Sequence, residues 1–153
     1  MAISKNFQIR FKELTDELNL KNKTEIAATL GLTYAVFVKI YNYGILPTVP
    51  QLIKIADFFN VSIEYLIGNT DNDYFAKAEN GSSFQTRLAQ LRVKNGINTV
   101  YELSQKIHIH RNNIAQWVKK SYIPSVEDLA IIANLFDVSI DYLLGRTDDD
   151  MTY

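Results

Sequence analysis

The amino-acid sequence predicts an all-α fold made of two tandem copies of one five-helix domain. The first observation is an internal repeat: with Phe7 aligned on Phe84, the two halves match without a gap as far as Asp71 and Asp148. An ungapped match of this length is typical of a duplicated domain. The second observation is that apolar residues recur at helical spacing between polar capping residues and the Gly or Pro residues that end helices.

The repeat also sets the expected domain boundaries. These are a first domain at residues 1–71, a linker at 72–83, a second domain at 84–148 and a tail at 149–153. The linker ends in the sequence NGSS, a Gly/Ser type of sequence that forms flexible hinges. Its earlier part, residues 74–79, is expected either to extend the preceding helix or to pack on a domain. The acidic tail is expected to be solvated and frayed.

Composition and charge restrict the possible classes of protein. Hydrophobic residues make up 47% of the 153 residues and charged residues 22%, which are ordinary values for globular domains. The chain has no cysteine for a disulfide or a thiolate metal site, no run of about 18 apolar residues and no signal-like N-terminus, so a cytoplasmic, non-membrane protein is expected. Residues 1–71 hold seven basic and seven acidic side chains, whereas residues 84–148 hold eight basic and six acidic ones. The small positive excess therefore lies in the second half.

The first two helices of each half follow from apolar spacing and polar caps. The first helix is predicted from apolar residues that recur at steps of three and four, namely Phe7, Phe11, Leu14 and Leu18, and Phe84, Leu88 and Leu91. The second helix is predicted to begin at a capping box, in which a polar residue stands three positions before an acid. The two pairs are Asn22 with Glu25 and Thr99 with Glu102.

The last two helices are predicted in the same way. Thr48 with Gln51 and Ser125 with Asp128 look like capping pairs that open the fourth helix, directly after Pro47 and Pro124. The short fifth helix is expected to follow Ser62 and Ser139 and to end at Gly68 and Gly145, because glycine readily takes the left-handed conformation that ends helices.

The second and third helices of each half have the spacing of a helix-turn-helix pair. The apolar residues that would clamp the two helices together are Ile26, Leu30, Leu32, Phe37 and Ile40, and Leu103, Ile107, Ile109, Ile114 and Trp117. The turn between the helices needs a residue that tolerates positive φ, and Gly31 provides it in the first half. His108 takes this position in the second half, and His is enriched among non-glycine residues with positive φ.

Both halves resemble the Cro and repressor-type helix-turn-helix family, also called the xenobiotic-response-element family. The resemblance covers nearly all of residues 7–71 and 84–148, and it includes the frequent C-terminal pattern of such domains, here PSVEDLAIIANLFDVSIDYLLGRTD. It implies two five-helix domains of the lambda-repressor-like type. It also implies a transcriptional regulator that binds duplex operator DNA, with repression as the expected direction.

In that family the third helix enters the major groove, and its first residues and one a turn later contact bases. The matching positions are His110, Arg111, Asn112, Asn113 and Gln116 in the second half, and Thr33, Tyr34, Ala35, Val36 and Lys39 in the first. Arg can bind guanine bidentately, and Asn or Gln can pair with adenine. In the first half, only Thr33, Tyr34 and Lys39 can hydrogen-bond, although Ala35 or Val36 can contact a thymine methyl. The second half is therefore the expected main reader.

Phosphate contacts in the family come from the start of the second helix and from the loop after the third. The matching positions are Thr99, Lys119, Lys120, Ser121 and Tyr122 in the second half, and Asn22, Lys23, Asn42 and Tyr43 in the first. The sequence departs from the family at the glutamine usual at the start of the second helix, which is here Lys23 or Val100. Many members also have a buried Arg–Glu pair. Here a carboxylate–hydroxyl bond between Asp16 and Tyr41 and an apolar pair of Val93 and Val118 are expected in its place.

Other functions stay open at this point. The polar residues of the second half also suit a solvated helix face. Tyr34, Val38, Tyr41 and Tyr43 fit a core, a protein-docking face or a degraded reader, so the alternative function is a protein-interaction module or regulator co-factor that uses the apolar third helix of the first half. No nucleophile with a base, no phosphate loop and no metal-ligand spacing around His108 and His110 is found, so neither an enzyme nor a cofactor is expected. The expected partners are double-stranded DNA and a second copy of the chain.

Overall fold

The computed structural model describes residues 2–150, and residues 151–153 of the predicted tail lie outside that range. In the described range, regular structure is helical apart from one isolated antiparallel bridge between Ile3 and Ile45. The all-α class predicted from the sequence is therefore confirmed. Contacts divide the chain into two compact units, Met1–Phe75 (unit 1) and Ala76–Tyr153 (unit 2). None of the described helices is long and apolar enough to cross a membrane.

Each unit contains five helices in its described part. Those of unit 1 are α1 (Lys5–Asp16), α2 (Lys23–Thr29), α3 (Tyr34–Tyr43), α4 (Val49–Phe59) and α5 (Ile63–Leu66). Those of unit 2 are α6 (Phe84–Lys94), α7 (Val100–Ile107), α8 (Arg111–Lys120), α9 (Val126–Phe136) and α10 (Ile140–Leu143). Helices α7 to α10 each begin 77 positions after α2 to α5, the offset that aligns Phe7 with Phe84.

Polar N-caps define the starts of these helices, because each cap side chain accepts a hydrogen bond from an amide of the first turn. Thr48 and Gln51 form a complete capping box. At α7 the cap is Thr99, as predicted, since Glu102 N donates to Thr99 Oγ1 at 3.1 Å. A capping box would also have the Glu102 carboxylate accept from the amide of Thr99. Here the carboxylate accepts instead from the amide of Asn98, one residue before the cap.

The end of α1 differs from the prediction, which extended the first helix to Leu18. The helix ends at Asp16, and Leu18 N donates to Thr15 O in a tighter turn. The hydroxyl of Thr15 bonds back to Phe11 O at 2.8 Å, and Asn19 takes a positive φ of 54°. Leu18 stays half-buried. Leu18 is therefore partly buried although it lies in the turn after α1, and its helical spacing does not show that it belongs to the helix.

The cores of both units are built around aromatic side chains. In unit 1, Phe11 lies between Phe7 and Phe37, with ring centroids 5.8 and 5.5 Å away, and all three side chains are fully buried. In unit 2, Phe84 contacts Trp117 edge to face at 6.2 Å. Each core therefore fixes its third helix (α3 or α8) against its first (α1 or α6) through aromatic contacts, whose geometry is directional.

A buried arginine ties the first helix of each unit to the chain that follows its last helix. Arg10 pairs with Asp71 at 2.9 Å, and its guanidinium lies 3.7 Å from the Tyr65 ring centroid. Arg87 pairs with Asp148 at 2.7 Å in unit 2. Unit 2 has in addition a buried ion pair between Asp141 and Arg146.

The segment predicted as a linker is divided by the structure, because the boundary between the units falls after Phe75. No helix forms in residues 72–83, and the part from Ala76 packs on unit 2. Ala76 O accepts from Thr147 Oγ1 at 2.6 Å, and Ala78 N donates to Arg146 O at 2.9 Å. The NGSS end, predicted to be a flexible hinge, is also held: a Cβ on Gly145 would overlap the backbone of Ser82. Glycine at this position therefore permits the segment to lie against unit 2.

The turns between α2 and α3 and between α7 and α8 have the predicted positive φ, 71° at Gly31 and 56° at His108.

Replacing His108 with glycine is expected to raise the stability of unit 2 by about 0.5 to 1 kcal/mol. The relief of left-handed strain then exceeds the added entropy of the unfolded chain. Urea unfolding followed by the fluorescence of Trp117, the single tryptophan, measures this. A lower midpoint for His108→Gly would contradict the interpretation. Gly31→Ala should change the stability of unit 1 in the opposite direction, measured by far-UV circular dichroism because unit 1 has no tryptophan.

Candidate nucleic-acid interface

Helices α7 and α8 of unit 2 pack against each other through their apolar faces. Leu103 and Ile107 of α7 and Ile114 and Trp117 of α8 are each at most 5% exposed. Ser104, a small residue, is buried on α7, and its hydroxyl donates to Tyr101 O at 2.6 Å. With His108 turning the chain between them, the two helices are held in a fixed relation.

The opposite side of α8 carries the predicted base-contacting residues. All five are exposed, namely His110, Arg111, Asn112, Asn113 and Gln116. Ile114 and Trp117 on the same helix are buried, so α8 has a clamped rear and an accessible polar front. The structure thus brings together one guanidinium and three amide side chains on a single exposed surface. These groups donate and accept hydrogen bonds in the patterns that base edges present in a major groove.

His110 has a local role that sequence reasoning did not foresee. Its Nδ1 accepts from Asn112 N at 3.2 Å, so the imidazole is the N-cap of α8. An accepting Nδ1 requires the neutral ring with the proton on Nε2. The ring nitrogen that remains for a DNA contact is therefore Nε2, as a donor.

A cleft of about 490 Å³ lies beside the start of α8. It is lined by Tyr101, Ser104, Gln105, His108, Ile109, His110 and Arg111. Tyr101 was not predicted as a site residue, although its side chain is 57% exposed and shares this concavity with Arg111. Helical spacing alone places Tyr101 on α7, and only the crossing of the two helices brings it beside the predicted readers.

The predicted phosphate-contacting residues of unit 2 lie at the start of α7 and the end of α8. Thr99, Lys119, Lys120, Ser121 and Tyr122 are all exposed. The Thr99 hydroxyl is engaged as the cap of α7, and Ser121 ends α8 with a φ of 57°. Lysines in the last turn also complement the negative end of the helix dipole. This arrangement presents two ammonium groups directly after the exposed front of α8.

A glutamine of the first helix holds the end of the third in each unit. Gln85 Nε2 donates to Trp117 O at 3.0 Å and to Tyr122 O at 3.3 Å. In unit 1, Gln8 Nε2 donates to Tyr41 O at 2.9 Å. Sequence reasoning did not single out these residues, although glutamine stands at the same place in both copies of the repeat. They fix the loop that carries the predicted phosphate contacts.

The corresponding pair in unit 1 is α2 and α3, and its surface is less polar. The predicted base-contacting residues Thr33, Tyr34 and Lys39 are exposed, as is Ala35. The Thr33 hydroxyl caps α3 by accepting from Val36 N at 3.3 Å. The exposed front of α3 therefore offers a phenol and an ammonium where α8 offers a guanidinium and an amide.

The predicted phosphate-contacting residues of unit 1 contact one another and a neighbouring aromatic ring. Lys23 Nζ lies 3.4 Å from Asn42 Oδ1 and 4.7 Å from the centroid of the Tyr41 ring. Asn22 caps α2 by accepting from Glu25 N at 2.8 Å, and Tyr43 is 63% exposed. Lys23 of α2, which replaces the glutamine usual in the family, therefore contacts two residues of α3, Asn42 and Tyr41.

Two residue pairs were expected in place of the buried Arg–Glu pair of the family, and only one of them has the predicted arrangement in the structure. The Tyr41 hydroxyl lies 3.5 Å from Asp16 Oδ1, as predicted; Tyr41 is half-buried, whereas Asp16 is exposed. Burial and then the nearby Asp16 carboxylate raise the pKa of Tyr41, so this phenol stays protonated at neutral pH. The second prediction is wrong as a buried apolar pair, since Val93 is 82% exposed and Val118 is 42% exposed. Val93 on α6 is thus largely in solvent, and Val118 on α8 is partly in solvent, so the two do not form a buried pair.

Comparison with known proteins shows a family match within unit 2. Residues 88–143 match the family model described as Helix-turn-helix. An uncharacterized HTH-type transcriptional regulator of Bacillus subtilis (strain 168), YobD, is 41% identical over 63 residues, which cover 41% of this chain and 55% of that protein. The HTH-type transcriptional regulator ImmR of the same strain is 36% identical over 64 residues, 42% of this chain and 50% of that protein.

The chain therefore spans about half the length of the curated relatives it matches. No solved structure is significantly similar to it. Residues 88–143, which include α7 and α8, form a helix-turn-helix domain homologous to HTH-type regulators. In this half of the chain, all five predicted base-contacting positions of the third helix carry polar side chains.

Proposed function

We propose that this protein is a sequence-specific DNA-binding transcriptional regulator of the cytoplasm that inserts α8 into the major groove, and that it acts as a repressor. The observation that carries the proposal is the accessible polar front of α8, whose rear is clamped by α7. The homology of residues 88–143 to HTH-type regulators supports the same function. It also argues for a binding protein over an enzyme.

The side chains of α8 have distinct roles in this proposal. Arg111 binds a guanine through O6 and N7, while Asn112, Asn113 and Gln116 pair with adenines. His110 donates through Nε2. Thr99, Lys119, Lys120, Ser121 and Tyr122 hold phosphates and thereby set the register of the helix on the duplex, without reading sequence.

Unit 1 acts in this proposal as a second, weaker reader. The common helix starts at an offset of 77 support a second helix-turn-helix domain in residues 1–71. On α3, Thr33, Tyr34 and Lys39 contact bases, while Asn22, Lys23, Asn42 and Tyr43 contact phosphates. One chain then contacts DNA with two helices of different chemistry, so its site need not be palindromic.

Selection of bound sequences from random DNA by the full-length chain tests the proposal. A defined motif containing guanine and adenine is expected from the chemistry of α8. The same selection with Tyr34→Ala should return the part of the motif that depends on α8. A selection that yields no preference would remove sequence-specific binding.

Lys119→Ala is expected to weaken binding to all duplexes alike and to reduce the dependence of log Kd on log salt by about 1, because one phosphate contact is lost. Titration of the selected duplex and a scrambled one at several salt concentrations measures both effects. Lys94→Ala, an exposed lysine in the last turn of α6, is the control. A loss confined to the selected duplex would assign Lys119 to base recognition instead.

A second candidate function is favoured by one observation on unit 1. A groove of about 310 Å³ follows α3, and most of its lining is apolar: Val36, Lys39, Ile40, Ile45, Leu46, Pro47, Thr48 and Gln51. Such a groove suits a protein-interaction module or a regulator co-factor with little direct DNA binding. Weak DNA binding without sequence preference, unchanged by Arg111→Ala with Gln116→Ala, would favour this second function.

A further inference from the structure

Unit 1 contains a cluster of two lysines around one tyrosine ring. Lys12 Nζ of α1 lies 5.0 Å from the centroid of the Tyr41 ring, and Lys23 Nζ of α2 lies 4.7 Å from it. Lys23 Nζ is also 3.4 Å from Asn42 Oδ1. Both lysines are half-buried. Helices α1, α2 and α3 therefore each contribute a residue to this cluster.

The position of the ring is itself fixed by the core. Tyr41 stacks on Phe37 with a centroid distance of 5.5 Å and an interplanar angle of 23°, and Phe37 is fully buried. Its hydroxyl is directed at Asp16, 3.5 Å away. Attraction between an ammonium and an aromatic face holds within about 6 Å of the ring centroid, so both lysines are within range.

The charges of the cluster do not cancel. Asp16 is the carboxylate that contacts Tyr41, whereas two ammonium groups lie by the ring. Glu13, the neighbouring acid on α1, pairs with Arg10 at 3.4 Å. In these contacts two ammonium groups and one carboxylate lie by the ring, and Lys23 Nζ donates to the Asn42 amide oxygen. The cluster therefore carries more positive than negative charge at the ring.

We infer that Lys12 and Lys23 together hold one backbone phosphate of DNA beside unit 1, and that Tyr41 is a positioning residue that keeps their ammonium groups together. The inference rests on the proposed function and adds Lys12, a residue of the first helix, to the contacts expected from the sequence. Free lysine side chains lose rotamer entropy when they are fixed on a phosphate, by amounts that weaken binding appreciably. A ring that already restricts them lowers that loss.

Unit 2 lacks this arrangement. The positions that match Lys12, Lys23 and Tyr41 at the offset of 77 are Ala89, Val100 and Val118, none of which carries a charge. Unit 2 has instead the polar front of α8. In this inference unit 1 adds a phosphate contact to those of unit 2, and unit 2 supplies most of the sequence preference.

The test uses the full-length chain and two duplexes of equal length, the selected sequence and a scrambled one. Replacing Lys12 and Lys23 together with alanine is expected to raise Kd about tenfold on both duplexes, the effect of losing one charged hydrogen-bonded contact. The slope of log Kd against log salt should fall by about 1. Lys12→Arg with Lys23→Arg should restore both values. Lys5→Ala, two turns earlier on α1 and exposed, is the control and should change neither.

Two substitutions at Tyr41 separate the ring from the hydroxyl. Tyr41→Phe keeps the aromatic face and is expected to keep Kd within about twofold of the unsubstituted chain. Tyr41→Leu removes the face and should reproduce both the weaker binding and the smaller salt slope of the lysine double variant. Far-UV circular dichroism and the thermal midpoint of each variant show whether the fold is kept.

The outcomes distinguish this inference from the function it rests on. If the lysine double variant binds with unchanged Kd and salt slope while substitutions at Arg111 and Gln116 abolish sequence preference, the inference is overturned and the function stands. A loss limited to the selected duplex also overturns it, because a phosphate contact acts on every sequence. If the unsubstituted chain binds neither duplex, both fall together.

Discussion

Replacing Arg111 and Gln116 together with alanine is expected to remove most of the preference of this protein for its selected DNA sequence. Both side chains are exposed on the front of α8 and neither stabilises the core, so the fold should be kept. Each good bidentate base contact contributes about 1 to 3 kcal/mol of discrimination, and the double change should therefore cost roughly 2 to 6 kcal/mol on the selected duplex. Arg111→Ala alone should cost about 1 to 3 kcal/mol at one base position.

The measurement is a titration of selected and scrambled duplexes at one fixed salt concentration. Binding to the scrambled duplex should weaken much less, because phosphate contacts supply most non-specific affinity. Unit 1 offers a matched control, since Tyr34 and Lys39 stand 77 positions before Arg111 and Gln116. Tyr34→Ala with Lys39→Ala should have the smaller effect on sequence preference. An unchanged preference for the selected duplex after the double change in α8 would show that α8 does not read its sequence.

Asp141→Asn is expected to have an effect of similar size on stability. Asp141 is fully buried at the start of α10 and pairs with Arg146, whose side chain is 7% exposed. Removing the carboxylate charge takes a buried counterion away from a buried guanidinium, and breaking buried pairs in this way costs about 3 to 5 kcal/mol. The midpoint of urea unfolding followed by Trp117 fluorescence should fall accordingly, and this single tryptophan reports unit 2 alone.

Two further variants give this prediction its controls. Replacing both partners with apolar residues, Asp141→Leu with Arg146→Met, should cost far less than Asp141→Asn, because no charge is then left buried alone. Asp148→Asn breaks an ion pair whose carboxylate is 64% exposed, so solvent screening should limit the loss to about 1 kcal/mol. A loss at Asp148 as large as that at Asp141 would show that burial does not govern these pairs.

The prediction for Asp141→Asn also bears on residues 76–83, the part of the predicted linker that packs on unit 2. Arg146 O accepts from Ala78 N, and Thr147 donates to Ala76 O, so residues 76–83 are attached to the same part of unit 2. Loss of the Asp141 carboxylate should therefore release this segment together with α10. Faster hydrogen exchange at Ala78 in Asp141→Asn would be its signature.

The sequence by itself determined the all-α fold, the starts of the second, fourth and fifth helices of each half, and the candidate reading surface of unit 2. These features are local. A capping residue acts on an amide two or three positions ahead, apolar spacing acts over one or two turns, and a positive φ at His108 is a property of one residue. Such signals are complete within a short stretch of chain, so they can be recognised without knowledge of the packing.

The tertiary structure alone decided which distant residues meet. It placed Lys12 and Lys23 on the same ring, directed Gln85 to carbonyls at the end of α8, and laid residues 76–83 against Gly145. It also left Val93 and Val118 exposed, where an apolar pair had been predicted. None of these outcomes can be found from the spacing of residues along one helix. Each depends on how helices cross, and that crossing is set by the packing of the whole core.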